Sequence, residues 1–162
     1  MVRLGELLIA TGELNAHEIE QAVRAQIMWG GRLGTNLVEL GYIDLELLST
    51  YLGEMSGYAV ATPSLLDDAD AAYVAKLPAD DAHRLRAIPL GVFTSGGHVA
   101  VAFVDPTDTA AITQVADKIG SNITPYVVPE LRALYYLEKL YGLPRRARFI
   151  RSGRMSTGEI AP

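Results

Sequence analysis

The chain has no cysteine, one tryptophan, three phenylalanines and three histidines in 162 residues. Without cysteine there is no disulfide, no thiolate nucleophile and no cysteine-ligated metal. Long apolar runs are also missing. None approaches the roughly 20 residues of a membrane-crossing helix, and the N-terminus lacks the charged-then-apolar layout of a signal peptide, so a cytoplasmic location is expected. His17, His83 and His98 are scattered, with no HExxH, no GxSxG and no GxxxxGK[ST] phosphate loop. The expectation is therefore no catalytic residue, no metal, no cofactor and no ATP hydrolysis by this chain itself. Asp105 and Asp108 flank a proline at a helix start, where carboxylates cap backbone N–H groups. Tyr135, Tyr136 and Tyr141 fall at helical spacing and read as packing.

Nearly half the residues, 49%, are hydrophobic, enough to bury a core in one domain or two small ones. The formal charge of −5 is uneven: residues 145–162 hold five arginines against one acid, Glu159, so this end is +4 and the remainder −9. An acidic body argues against DNA or RNA as partner. The basic end reads as a flexible tail or linker.

What is present is one stretch written twice. Arg3-Leu4-Gly5 through Gln26 aligns without a gap on Arg32-Leu33-Gly34 through Met55 at a constant offset of 29 residues. Leu8 matches Leu37, Gly12 matches Gly41, Ile19 matches Leu48 and Val23 matches Leu52; Leu7 and Asn36 correspond only loosely, and Gln26 faces Met55. Each copy predicts a helical hairpin. Leu4, Leu7 and Leu8 have helical spacing, and Gly12 supplies the left-handed stop. Asn15 with Glu18 forms a capping box, with Leu14 and Ile19 as its hydrophobic staple. Gly41, Asp44, Ile43 and Leu48 repeat that logic. Two hairpins rarely bury their faces alone, so they should dock on the rest of the chain or on a ligand.

After Met55 the pattern changes. An acidic, alanine-rich run from Asp67 to Lys76 predicts one short helix stopped before Pro78, and Ala79 to Leu85 a further helical turn. Residues 87–93 and 98–104 predict strands joined by Ser95-Gly96-Gly97. Asp105 to Asp108 starts a helix with Ala111, Ile112, Val115, Ala116 and Ile119 on one face, ending at Gly120. Residues 123–128 predict a strand. Pro129 opens a last helix with Leu131, Leu134, Tyr135, Leu137 and Tyr141, closed by Gly142 and Pro144. The predicted fold is α+β: a four-helix tandem-hairpin repeat (1–57) followed by a small ββαβα sandwich subdomain (58–144), then the basic tail (145–162).

The repeated Arg-Leu-Gly carries the chemistry. A guanidinium can grip guanine or phosphate in bidentate fashion, or stack on a base. The following glycine lets a ligand or backbone come close, and N–H groups at the helix start favour phosphate. Ile19, Val23 and Gln26 share one helix face, an apolar floor ending in an amide; Leu48, Leu52 and Met55 repeat it without the amide. Two such half-sites suit a two-fold-symmetric ligand. The same residues also fit a purely structural role, with arginine paired to an acid, glycine permitting helix packing and the leucines in the core.

R-L-G-x-x-L-x-x-x-G-x6-L-x3-L-x2-Q, written twice with Ile27 to Gly31 between, resembles the signature of the MshEN domain, the N-terminal domain of type II secretion and type IV pilus assembly ATPases. Ile88-Pro89-Leu90, the run from Val101 to Asp108, and Tyr141-Gly142 resemble its α/β portion. The resemblance implies a cyclic di-GMP receptor, with arginine and glutamine making polar contacts and the leucines packing on the bases. Those roles fall on Arg3, Leu4, Gly5, Ile19, Val23 and Gln26, and on Arg32, Leu33, Gly34, Leu48 and Leu52. Met55 departs from the glutamine. The implied partners are a secretion or pilus ATPase domain or an inner-membrane platform protein. A nucleotide-independent adaptor that docks a secretion-system protein is the other reading.

Overall fold

The computed structural model describes residues 3–145. Beyond Arg145, the expected basic tail lies outside the described residues. The two copies fold as predicted, into α1 (Leu4–Ala10) with α2 (Ala16–Trp29), and α3 (Leu33–Glu39) with α4 (Leu45–Ser56). Gly12 and Gly41 both turn the chain at φ +80°, a conformation that costs glycine nothing. Asn15 Oδ1 accepts from Glu18 N–H at 2.9 Å while Glu18 Oε1 accepts from Asn15 N–H at 3.0 Å. In the second copy Asp44 Oδ1 accepts from Leu47 N–H at 2.7 Å. The staple residues Leu14 and Ile43 are buried, as are Leu8, Leu37 and Leu48.

The segment after α4 departs from expectation. The single helix predicted for residues 67–76 is two pieces, α5 (Pro63–Asp67) and α6 (Ala71–Val74), followed by α7 (Ala79–Leu85). Thr62 caps α5 with Pro63 in its first turn. Asp70 breaks the run because its carboxylate caps Ala72 N–H at 2.9 Å while its own N–H donates to Leu90 O at 3.0 Å. Then come β1 (Ala87–Val92), β2 (Val99–Phe103), α8 (Thr109–Ile119), β3 (Ile123–Val127) and α9 (Glu130–Tyr141). The sheet order is β1-β2-β3, antiparallel for the hairpin and parallel for β2 and β3 across α8. Every residue of β2 is buried, which is why that strand is a continuous apolar run. Asp105 and Asp108 serve as caps: Asp105 Oδ1 accepts from Thr107 N–H at 3.0 Å and Asp108 Oδ1 from Ala111 N–H at 3.1 Å.

The repeat docks on the sheet. Residues 59–61 run alongside β3, with Ala61 N–H donating to Val127 O at 2.8 Å and Val127 N–H to Ala59 O at 2.9 Å. Buried side chains from both halves, among them Leu8, Leu37, Leu48, Ile88, Phe103 and Leu131, belong to one core cluster. Across this seam, Arg132 of α9 is fully buried and donates to Ser49 Oγ at 2.9 Å and to the Glu46 carboxylate, both on α4. Farther along α9, the tyrosines pack as expected, and the hydroxyls of Tyr136 and Tyr141 find partners. Tyr136 donates to Asp67 Oδ1 at 2.7 Å and Tyr141 to Val74 O at 2.9 Å. Arg145 donates to Glu138 Oε1 at 2.9 Å, so the first residue of the expected tail is tied to α9.

The Arg132 pair is asymmetric, because the guanidinium is 1% exposed and Glu46 71%. Removing the carboxylate strands a buried cation, whereas removing the cation leaves a carboxylate that already meets water. Glu46→Ala should therefore cost up to about 3 kcal/mol, the low end for a buried pair that loses one member, and Arg132→Met distinctly less. Urea denaturation of both variants checks the order.

The Tyr136 hydroxyl holds the Asp67 carboxyl below its ordinary value, against some desolvation and with help from Lys139. A depressed carboxylate adds stability above its unfolded pKa and loses it as pH falls through the folded value. Tyr136→Phe should raise the Asp67 pKa and move that loss to higher pH, which an NMR titration of Asp67 reads directly.

Candidate functional site

The two hairpins pack with α2 against α3 and α1 against both α3 and α4, which brings the two Arg-Leu-Gly copies to one groove. Its volume is about 520 Å³, and Arg3, Leu4, Val23, Gln26, Arg32, Leu33, Gly34, Leu48 and Leu52 all line it. Both arginines stand at helix starts with extended backbones, φ −83° and ψ 155° at Arg3, φ −79° and ψ 159° at Arg32. Both are exposed, and among the described residues neither guanidinium forms an ion pair. The groove thus has two uncommitted cationic forks over an apolar floor. That combination suits a flat, dianionic ligand: the forks take phosphate or base edges and the leucines take ring faces.

Two expected residues do not reach the wall. Gly5 is buried, and a β-carbon there would lie 3.3 Å from Ile19 Cγ2. Gly5 and Ile19 therefore pack on each other behind the groove. Gly34 is tighter still, since an added β-carbon would sit 2.6 Å from Leu48 Cδ1. Of the backbone N–H groups foreseen for a phosphate, the two at the helix caps are taken. Arg3 N–H donates to Glu6 Oε2 at 3.2 Å and Arg32 N–H to Glu130 Oε1 at 3.0 Å. Gln26 donates to Gly31 O at 3.2 Å, bracing the turn before Arg32, and Met55 lines the groove opposite.

Sequence reading missed Thr35, Val104, Val128 and Glu130, which complete the lining. Val104 and Val128 follow β2 and β3 directly. Ligands of α/β sheets gather at the carboxyl ends of parallel strands, and that rule could have found them. Glu130 carried no such signal. A smaller cavity of about 380 Å³ lies on its other side, lined by Gly31, His83, Arg86, Leu134, Pro144 and Arg145. His83 is occupied locally, its Nδ1 lying 3.1 Å from Arg86 Nη1. Among the described residues no helix is long and apolar enough to cross a membrane, and no cluster of acids or histidines is arranged to hold a metal.

Fold and groove together define a class, a tandem-hairpin repeat that presents paired arginines and is closed from one side by a small α/β layer. The chain belongs to the MshEN domain family, whose model matches residues 58–147. It is similar to the type IV pilus assembly ATPase PilB of Thermus thermophilus, 31% identical over 88% of this chain and 16% of that protein. PilB of Myxococcus xanthus is 28% identical over 86% of this chain and 24% of that protein. The chain thus spans less than a quarter of either relative. Among solved structures, that of MshE with cdg has a TM-score of 0.64 at 29% identity, covering 87% of this chain and all of the other. The N-terminal domain of XpsE shares the fold, with a TM-score of 0.58 at 21% identity over 86% and 92% of the two chains.

The two glycines separate by sterics. Gly34→Ala drives a methyl into buried Leu48, an overpacking worth about 1–3 kcal/mol that outweighs the gain of about 1 kcal/mol in helix propensity. Gly5→Ala, with its looser neighbour, should come out close to neutral. Chemical denaturation is expected to rank Gly34→Ala below Gly5→Ala.

Proposed function

We propose that this chain is a cyclic di-GMP receptor domain that regulates a pilus or secretion ATPase in the cytoplasm, and that it performs no catalysis itself. The observation that carries the reading is the meeting of both Arg-Leu-Gly copies in one groove, with both guanidiniums free of acidic partners among the described residues. A volume of about 520 Å³ falls within the range of small-molecule sites. The likeness to MshE with cdg supports the same ligand, and the likeness to two PilB proteins supports a pilus ATPase as the regulated partner. In this reading residues 1–57 supply the ligand groove and residues 58–144 its support. Arg3 and Arg32 take the phosphates or guanine edges, Leu4, Leu33, Val23, Leu48 and Leu52 pack on the bases, and Gln26 adds an amide contact. Gly5, Gly34 and Ile19 set how closely the helices approach.

One feature favours an adaptor that docks a secretion-system protein, such as a platform protein at the inner membrane. Ile27, Met28 and Trp29 are 80%, 71% and 60% exposed at the end of α2, next to the turn that leads to Arg32. Calorimetry separates the readings. Micromolar folded protein should give saturable heat with cyclic di-GMP; no heat leaves the adaptor.

Within the receptor reading, Arg3→Ala and Arg32→Ala should each lose about 1.5–3 kcal/mol of binding, roughly 10- to 150-fold, with little change in melting temperature. A sharp fall in melting temperature at unchanged affinity would make them structural. Met55→Gln restores the missing amide and should raise affinity by about 2- to 12-fold, the worth of one hydrogen bond. Gln26→Met should lower it. If both substitutions are silent, these positions are helix packing.

A further inference from the structure

The two half-sites are built alike but capped differently. In the first repeat Arg3 N–H donates to Glu6 Oε2, an acid three residues along the same helix. The position equivalent to Glu6 in the second repeat is Thr35, which has no carboxylate to reach back with. The missing acceptor comes from elsewhere. Glu130, the first residue of α9 and 98 residues away, accepts from Arg32 N–H at 3.0 Å and from Thr35 Oγ1 at 2.8 Å through the same Oε1. Gly31 makes room for it, since a β-carbon there would lie 3.2 Å from that oxygen. The turn before Arg32 is braced from the other side, where Asn36 Nδ2 donates to Gly30 O at 3.0 Å and to Arg32 O at 2.9 Å. The backbone that aims Arg32 into the groove is therefore fixed by α9, whereas the backbone that aims Arg3 is fixed within its own helix.

We propose that Glu130 is a positioning residue for Arg32, and that this contact links occupancy of the groove to the placement of α9. This rests on the receptor reading for its ligand. If α9 and Glu130 set the affinity of Arg32 for an anion, then an anion held by Arg32 stabilises the seating of α9 by the same factor. Arg132, two residues farther along α9, grips α4 through Ser49 and Glu46, so the start of this helix is tied to both helices of the second repeat. Glu130 needs only an acceptor oxygen for its role, because both partners are neutral donors.

The test is a titration with cyclic di-GMP of the wild-type chain, Glu130→Gln, Glu130→Ala, Arg32→Ala and Glu130→Ala/Arg32→Ala. Glutamine keeps an acceptor oxygen, so its affinity should stay within about threefold of wild type, while alanine should lose about tenfold, one hydrogen bond's worth. The double variant should bind no more weakly than Arg32→Ala alone, because Glu130 acts through Arg32. Equal losses for Gln and Ala would mean that the carboxylate itself touches the ligand, and tighter binding by both would make it a repulsive plug. Either result overturns the proposal, as does a loss in the double variant that multiplies the two single losses. A second measurement needs no ligand: hydrogen exchange at the Arg32 amide should accelerate in Glu130→Ala but not in Glu130→Gln. If wild type gives no heat with cyclic di-GMP, the receptor reading fails, and the exchange rates still decide whether Glu130 sets the start of α3. Unchanged exchange in Glu130→Ala overturns the proposal whatever the ligand.

Discussion

The first turn of α9 is the contact on which the arrangement depends. Glu130 and Arg132 leave it toward α3 and α4 respectively, and the neighbouring Leu131 and Leu134 are buried in the shared core. A four-helix repeat of this size has too little apolar surface to hold itself together. Its inner residues, Leu8, Leu37 and Leu48, are buried because the same core continues into β1, β2 and α9. Arg132 is an expensive member of that core, since a buried guanidinium requires both its oxygen partners. The cost is accepted where it fixes the register of α4, the helix that contributes Leu48, Leu52 and Met55 to the groove.

Symmetry between the two copies is broken at several positions, Leu7 against Asn36 among them, and three others distinguish the second half of the groove. Thr35 replaces the self-capping Glu6, Met55 replaces Gln26, and Leu48 presses closer on Gly34 than Ile19 does on Gly5. The first repeat is largely self-sufficient: its caps are local and its glycine is less tightly packed than Gly34. The second repeat is the one wired to the α/β half. A ligand spanning both would join a self-contained half to a dependent one, an arrangement suited to reporting occupancy to the rest of the molecule.

The family match falls on residues 58–147, whereas the likeness to MshE extends over 87% of the chain. The family model thus matches the α/β half, while the repeat supplies most of the groove's lining. Function in such a fold resides in the grafted site more than in the scaffold.

Local chemistry made much of this legible in advance. Asn15 with Glu18, Asp44, Gly12 and Gly41 announce helix starts and stops because capping and left-handed turns involve residues a few positions apart. The 29-residue offset places the two arginines in equivalent positions of the repeat. The helix expected over residues 67–76 failed for the opposite reason: Asp70 is held by Leu90 of β1, a partner 20 residues away that outweighs helix propensity. Glu130 is the strongest case. In the sequence it is one acid at the start of a helix, indistinguishable from a capping preference, and only tertiary folding places its carboxylate on Arg32 and Thr35. The sequence by itself determined most of the elements and the pairing of the arginines, because those depend on neighbours along the chain. The tertiary structure alone decided which of them share a groove, that Gly5 and Ile19 stand behind it, and that α9 caps its second half, because those depend on distances the chain crosses only when folded.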